Sequence, residues 1–469
     1  MIWLIKNKGM KGQLSKLVLP IFIETALVMM LGAVDAVMLS QHSDNAVAAV
    51  GVVNQLVNLA VLVFQVISFG TTVLCSQYLG AGWKERMVQA TGVAIALNAV
   101  TGVLVSAVLY SGCTWMLQLM GLRPDLLGEG VSYMRIVGAF AFFQAISLAI
   151  SASLRSADKA IYPMLVTVVV NILNILGNYT LIFGKFGMPA LGVEGAAIST
   201  SIARGVSMVI LFVLLFRKHI PAFPRRLFRP FPWIELKNLL KIGIPAAGEE
   251  ISYSGSQVVI TFFINLLGNA ALATRTYCWN MIFFVYIFSI AMGQGGAILI
   301  GHLVGEKRIT AAYLLGCYTR RLAIIVSVIL SVLLALSGGT ILGWLTENPD
   351  IIRMGKIILW IDVVLEVGRA INIWATQALR ATGDVNYQFY VGITVQWLVS
   401  VGFSYLLGLH WGFGLIGMWV SFMLDENIRG LIFIYRWRSK KWATKGFVKD
   451  SCTEVCQPCS QVTPSVQPS

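Results

Sequence analysis

Charge is scarce in this chain. Of its 469 residues only 12% are Asp, Glu, Lys or Arg, roughly half the ~25% usual in soluble domains, and a soluble enzyme or scaffold of this length is excluded on that ground. Histidine occurs only four times in the whole chain. No G-x-x-x-x-G-K-[ST] loop is present, so nothing points to ATP hydrolysis, and neither H-E-x-x-H nor G-x-S-x-G occurs. Cysteine is sparse too. Cys75, Cys113, Cys278 and Cys317 fall singly in apolar or near-apolar stretches, which argues against a disulfide framework. Cys452, Cys456 and Cys459 cluster near the C-terminus, but three thiols without a fourth ligand make a weak metal signal.

What is abundant is apolar surface. Hydrophobic residues make up 57% of the chain and the mean hydropathy is +0.78. Runs of eighteen or more apolar residues recur from end to end, each a candidate transmembrane helix. About twelve spans are predicted, roughly 16–40, 46–74, 87–111, 130–153, 161–184, 192–216, 239–265, 270–299, 319–343, 354–379, 388–408 and 413–436. The expected fold is therefore an all-α polytopic membrane protein. The net charge of +14 does not imply nucleic acid, because the basic residues gather in alternate loops. The N-terminus, the even-to-odd loops and the tail carry most of the Lys and Arg, while the opposite loops hold little beyond Asp44, Lys185, Glu194 and His410. That asymmetry predicts cytoplasmic termini on both sides of the chain. Lys6, Lys8, Lys11 and Lys16 precede the first run as in a signal peptide, but the run is too long and holds Glu24, so it reads as a retained span. The expected organisation is a cytoplasmic N-terminus (1–15), a six-helix lobe (16–216), a basic linker (217–238), a second six-helix lobe (239–436) and a polar, disordered tail (437–469).

The two lobes are expected because the chain repeats itself. Pro20 maps to Pro245, and 245 − 20 = 225. The same offset takes Glu24 to Glu249, Gly70 to Gly295, Gly80 to Gly305, Arg155 to Arg380, Gly192 to Gly417 and Arg204 to Arg429. Six spans is an even number, so both copies enter the membrane with one orientation. Such parallel repeats are related by a pseudo-two-fold axis along the membrane normal. Two lobes facing each other suit alternating access and suit a channel poorly.

Several polar residues fall inside the spans. Glu24 and Asp35 lie eleven residues apart on the first, about three helical turns, and so project from nearly one face. A carboxylate in hydrocarbon costs on the order of 2.5–3.5 kcal/mol and normally faces a bundle interior or a watery cavity. An ion or proton site is the direct reading; a structural acid at a helix contact is the alternative. Asn171, Asn174 and Asn178 stand at i, i+3 and i+7 on span five. Three amide carbonyls in one stripe could hold Na⁺ or a hydrogen-bonded substrate, or could glue helices together. Thr200 and Arg204 on span six could complete a polar cavity with Asp35, unless Arg204 and Arg429 cap helix ends. In the second half, Glu249 and Glu250 open span seven. Asp362, Glu366, Arg369 and Asn372 share span ten, and Asp425, Glu426 and Arg429 share span twelve. Glu366–Arg369 reads as a structural intrahelical pair. Asp35 maps to Ile260 and has no counterpart, so the architecture common to both lobes cannot require it.

The segments TALVMMLGAVDAVMLSQHSDNAVAAVG, NILNILGNYTLIFGKFGMPALGVEGAAIST and LEVGRAINIWATQALRATGDVNYQF, with LRSADKAIYPM, resemble the multidrug and toxic compound extrusion (MATE) family over roughly Leu14 to Trp437. The resemblance implies twelve helices in two lobes and no enzymatic activity. It further implies a monomeric antiporter of the bacterial inner membrane that exports cationic or amphipathic small molecules in exchange for H⁺ or Na⁺. No cofactor and no nucleic-acid partner are implied. A lipid-linked oligosaccharide flippase is the alternative reading; a major-facilitator transporter fits less well, because GAGWKERMVQA lacks that family's loop signature. Carried over from one branch of the family, the coupling-ion site becomes Asp35, Asn174, Asn178 and Thr200. Asn178 departs from that branch, which has a second Asp there; one negative charge fewer weakens a Na⁺ site and leaves H⁺ on Asp35 open. A second branch places coupling carboxylates in the other lobe, which adds Glu249 and Asp362, with Glu24, Glu366 and Asn171 as further candidates for substrate or ion.

Overall fold

A computed structural model describes residues 8–218, 229 and 231–448. The three clustered cysteines and most of the tail lie outside them. Twelve long elements follow one another: α1 (Lys8–Ser40), α2 (Asp44–Gly80), α3 (Lys84–Ser111), α4 (Leu127–Ala139 continued by Ala141–Ser156), α5 (Ile161–Phe183), α6 (Gly192–Lys218), α7 (Trp233–Asn265), α8 (Asn269–Gly305), α9 (Ile309–Leu345), α10 (Pro349–Thr382), α11 (Val385–Val395, extended through His410 by π-helical turns) and α12 (Gly414–Arg438). A short helix, Cys113–Leu119, and a 3₁₀ turn, Lys441–Thr444, complete the described elements. α4 bends by 44° at Phe140.

Local sequence explains the punctuation. The Ser43 hydroxyl accepts from the Asn45 amide and starts α2. Asn348 caps α10 with Pro349 in its first turn, and Gly383, at φ +89°, ends it in a left-handed conformation that a side chain disfavours. Pro20 and Pro245, repeat mates, both sit inside helices, where each removes one backbone hydrogen bond.

Among the described residues, eight helices cross a membrane by length and composition alone, and bent α4 makes nine. The remaining three, α7, α10 and α12, have 33, 34 and 25 residues. They are long enough for a hydrocarbon core about 30 Å thick. Their hydropathy is lowered by charges that pair with one another inside the bundle. The helices also outrun the expected spans. α9 begins at Ile309 rather than 319, and α7 at Trp233, inside the stretch expected to be linker. Glu249 and Glu250 consequently stand in the middle of α7 and do not open it. Charged residues at the interface, such as Lys237 and Lys241, lower local hydropathy without ending a helix, because their stems stay on the protein while the ammonium reaches water.

Among the described residues, the shared cores of the two six-helix lobes lie towards the face that carries the basic loops. One core, containing Val53, Phe64, Met134 and Ile182, belongs wholly to α1–α6 and the short helix; another, containing Ile260, Ile282, Leu365 and Trp419, wholly to α7–α12. The shared cores lie at the other end. Leu14, Leu17, Val18 and Ile21 of α1 pack with Ile298 and Leu303 of α8, and Leu74 and Tyr78 of α2 pack with Leu239 and Ile242 of α7. The lobes therefore diverge towards the opposite face.

At the junction the pseudo-symmetry is explicit. A Cβ on Gly80 would meet the His302 carbonyl oxygen at 2.0 Å, and one on Gly305 would meet the Gln77 carbonyl oxygen at 2.0 Å. Both pairs are related by the 225-residue offset. A Cβ on Gly301 would fall 2.2 Å from the Ser76 hydroxyl oxygen, and these two positions are repeat mates, so the axis passes between them. The side chains repeat the exchange: Gln77 Nε2 donates to the Ala381 carbonyl (2.7 Å), and the His302 ring Nε2 bonds the Ser156 carbonyl (2.8 Å). The residues after α12 reinforce it. Trp442 stacks on Trp437 in the second lobe, and the Phe447 amide donates to Gln77 Oε1 in the first. Gly80→Ala/Gly305→Ala is expected to force the ends of α2 and α8 apart, since no side chain can yield to a backbone clash. Overpacking of about 1–3 kcal/mol shifts a two-state population by about 5- to 150-fold. Spin labels at exposed Lys84 and Arg308 should then report a longer distance.

Candidate functional site

Inside the first lobe a polar cavity of about 580 Å³ lies between α1, α2, α4, α5 and α6. α5 is responsible for much of its polarity. Its Asn171, Asn174 and Asn178 are all buried on the inward stripe. Asn178 Nδ2 donates to Asp35 Oδ1 (2.7 Å) and to Asn174 Oδ1 (3.0 Å), and Asn174 Nδ2 donates to Thr200 Oγ1 (3.2 Å). Asp35, Asn174, Asn178 and Thr200 are thus one hydrogen-bonded chain across three helices. Ser199 donates to the Asn174 carbonyl (3.0 Å) and ties α6 to the same turn of α5.

Asn171 does something else. Its amide donates to the Leu27 carbonyl (2.8 Å), one helical turn beyond Glu24, and so pins α5 to α1. Glu24 is ion-paired with Arg155 of α4 at 2.9 Å. Its repeat mate Glu249 is ion-paired with Arg380 of α10 at 2.5 Å. Both members of both pairs are related by the offset, so each lobe fastens its first helix to its fourth with the same bridge. Glu24 and Asp35 are therefore different in kind. Glu24 is committed to a guanidinium, while Asp35 is held by an amide.

Arg204 also lines the cavity, close enough to Asp35 for their charges to interact. It stands mid-helix on α6, and Arg429 mid-helix on α12, so neither caps a helix end. The acceptor oxygens are not all used: Asn178 Oδ1 and Asn171 Oδ1 are buried without a hydrogen-bond partner. A buried amide oxygen beside a carboxylate is a place where a small cation or a protonated group can be received. Tyr133, Asn54 and Asn58 complete the polar wall. The asparagines, four apart on α2, repeat the amide stripe of α5 and could have been read from that spacing. Tyr133 gives no periodic signal.

The second lobe carries a different arrangement. Arg369 pairs with Glu366 and lies 3.8 Å from Asp362 on α10, while Arg429 reaches Asp425 (2.5 Å) and Glu426 (3.3 Å) on α12. Asn372 Nδ2 donates to Glu426 Oε2 (2.7 Å) and joins the two helices. Four carboxylates thus share two guanidiniums, and Asp362 Oδ2, Glu366 Oε2 and Asp425 Oδ1 are buried without partners. Glu366–Arg369 is one link in this inter-helix network rather than an isolated pair. Among the described residues no group of His, Cys, Asp and Glu has the geometry of a metal centre.

The MatE family profile matches this chain twice, over residues 20–180 and 245–406. These are the two repeats. The uncharacterized transporter YisQ of Bacillus subtilis is 40% identical over 428 residues, covering 91% of this chain and 94% of that one. A probable multidrug resistance protein NorM of Thermotoga maritima is 26% identical over 440 residues, 92% of this chain and 93% of its own. A crystal structure of a MATE protein in a bent conformation superimposes with a TM-score of 0.86 at 19% identity, over 92% of this chain and 95% of that one. The profile matches the first five helices of each lobe and the relatives share nearly the whole membrane region, so the chain belongs to the multidrug and toxic compound extrusion (MATE) family of membrane transporters.

Proposed function

We propose that this transporter exports cationic or amphipathic small molecules in exchange for protons, and that Asp35 is the residue on which cargo and proton compete. The observation that carries this reading is the hydrogen-bonded chain Asp35–Asn178–Asn174–Thr200, set in a cavity of the first lobe. The proton is favoured over Na⁺ by charge. Asn178 supplies a dipole where the related branch has a second carboxylate, and Arg204 stands close to Asp35. Arg204 offsets part of the Asp35 field, and with one acid fewer than that branch the site attracts a bare metal ion less strongly. A proton forms a covalent bond to the carboxylate. The basic loops support a reading in which the joined face and both termini are cytoplasmic, in the inner membrane of a bacterium; the lobes then diverge outward. In that state Asp35 takes a proton, loses its charge and releases a cationic cargo. Rocking to the inward-open state parts the Gln77–Ala381 and His302–Ser156 contacts and returns the proton. Both lobes and the whole cavity come from one chain, which suits a monomer.

Proteoliposomes decide the ion. A pH gradient alone is expected to drive accumulation of a cationic dye, and a Na⁺ gradient alone is expected to leave it at background. The reverse result assigns Na⁺, and transport under neither gradient removes the antiport reading. A second reading rests on the α10–α12 network, whose surplus of buried carboxylates over guanidiniums suits a shared proton. Uncoupling by Asp362→Asn, with Asp35→Asn still coupled, would move the ion site there.

A further inference from the structure

A surface groove of about 380 Å³ runs along the seam where α1 of the first lobe meets α8 and α9 of the second. Lys11 and Tyr318 stand at its mouth, Val18 at its floor, and Phe22, Phe288 and Leu322 at its far end. Lys11 to Phe22 is eleven residues of helix, about 16 Å. That equals half of a hydrocarbon core about 30 Å thick, the depth of one leaflet. The walls are apolar, and Phe22 meets Phe288 edge to face at 6.3 Å.

The mouth is basic. The Lys11 ammonium lies 5.8 Å from the Tyr318 ring centroid, and exposed Lys16 follows on the same helix. On α9, Arg321 shares a face with Tyr318 and Leu322 at i, i+3 and i+4. No residue lining the groove is acidic. A slot one leaflet deep, apolar within and cationic at the headgroup level, has the shape and charge of a lipid.

We infer that this groove is a binding site for an anionic phospholipid, with one acyl chain against Phe22 and Phe288 and the phosphate at Lys11. The groove has a wall from each lobe, so the bound lipid touches both and favours the arrangement in which the basic-face ends are together. The lipid acts from outside the transport path and is distinct from cargo.

Lipid titration of the purified full-length protein, read by native mass spectrometry, tests this. Each basic residue near an anionic headgroup contributes about fivefold in affinity. Phosphatidylglycerol is therefore expected to bind at least about tenfold more tightly than phosphatidylcholine with the same chains. Lys11→Gln should lower phosphatidylglycerol affinity about fivefold and phosphatidylcholine affinity less, because choline already offsets its phosphate. Ser15→Trp, which fills the groove from an exposed position, should remove the tightest-bound lipid of either kind. Glycerol phosphate, which has the headgroup charge without chains, should not compete. Equal binding of the two lipids to the unaltered protein overturns the inference, as does a Lys11→Gln protein that retains full phosphatidylglycerol preference. So does competition by glycerol phosphate, which would make the site one for a soluble anion. Lys11→Gln decides alone if Ser15→Trp does not fold.

Discussion

Reconstituted Asp35→Asn protein is expected to lose gradient-driven efflux down to background while it still binds cargo. Asparagine has the shape of a protonated aspartate and cannot give the proton up, so the variant is held in the ion-bound state. Its amide oxygen can still accept from Asn178, whose bond to Asp35 Oδ1 is 2.7 Å, and the hydrogen-bonded chain to Asn174 and Thr200 survives. Cargo binding should weaken by about 10- to 150-fold, the loss of one charge-assisted contact of about 1.5–3 kcal/mol. It should also become flat with pH. In the unaltered protein the sign is fixed by competition. Lowering the pH neutralises Asp35, a cationic cargo loses its partner, and affinity falls; the variant has nothing left to titrate at that position. Equilibrium dye binding at high and low pH, beside transport in proteoliposomes, separates the two effects. Glu24→Gln is the control. It unpairs Arg155 and should loosen α1 from α4, so the damage should show in thermal stability and leave the pH dependence of binding in place. Full transport by Asp35→Asn would falsify the coupling role.

How much of this was legible in the sequence depends on range. Hydropathy located the spans because a helix long enough to cross a membrane announces itself within its own residues. It misjudged the ends of α7 and α9 because Lys237 and Lys241 on one, and Arg320 and Arg321 on the other, interrupt the apolar run without ending the helix. The offset of 225 anticipated the lobes, and its pairing of Glu24 with Glu249 and Arg155 with Arg380 foreshadowed two bridges without showing that each carboxylate meets its own arginine. The stripe on α5 was visible at i, i+3 and i+7, yet Asn171 differs from its neighbours only through what faces it: the Leu27 carbonyl rather than the Asp35 site. Tyr133 was invisible, since one tyrosine in an apolar helix has no periodic partner. The junction was hidden for another reason. Gln77 and His302 are repeat mates of different chemistry, and only proximity in space shows that each bonds the backbone carbonyl at the other lobe's matching position.

That same pairing leads to the largest expected effect on stability. Arg380→Met should be far more damaging than Arg155→Met, although the two arginines are repeat mates making the same bridge. Arg380 has a side-chain exposure of 3% against 19% for Arg155. It also donates through Nε to Gln388 at 3.2 Å and lies 4.9 Å from the Phe69 ring of the opposite lobe. Removing it leaves Glu249 buried beside Glu250 without its ion-pair partner, facing only the Gln388 amide and the more distant Arg429. Breaking a buried pair from one side costs about 3–5 kcal/mol. Around Arg155 the polar cavity of about 580 Å³ reaches both partners, and water can solvate Glu24 once it is alone, so the loss there should be smaller. Glu249→Met/Arg380→Met should regain most of the stability that Arg380→Met loses, because a buried pair exchanged whole for apolar groups is often neutral. Thermal melting of the four proteins in one detergent measures all of this. Equal losses for the two single variants would show that burial does not set the cost. A double variant no better than Arg380→Met would show that the guanidinium is needed for its contacts with Gln388 and Phe69 more than for its charge.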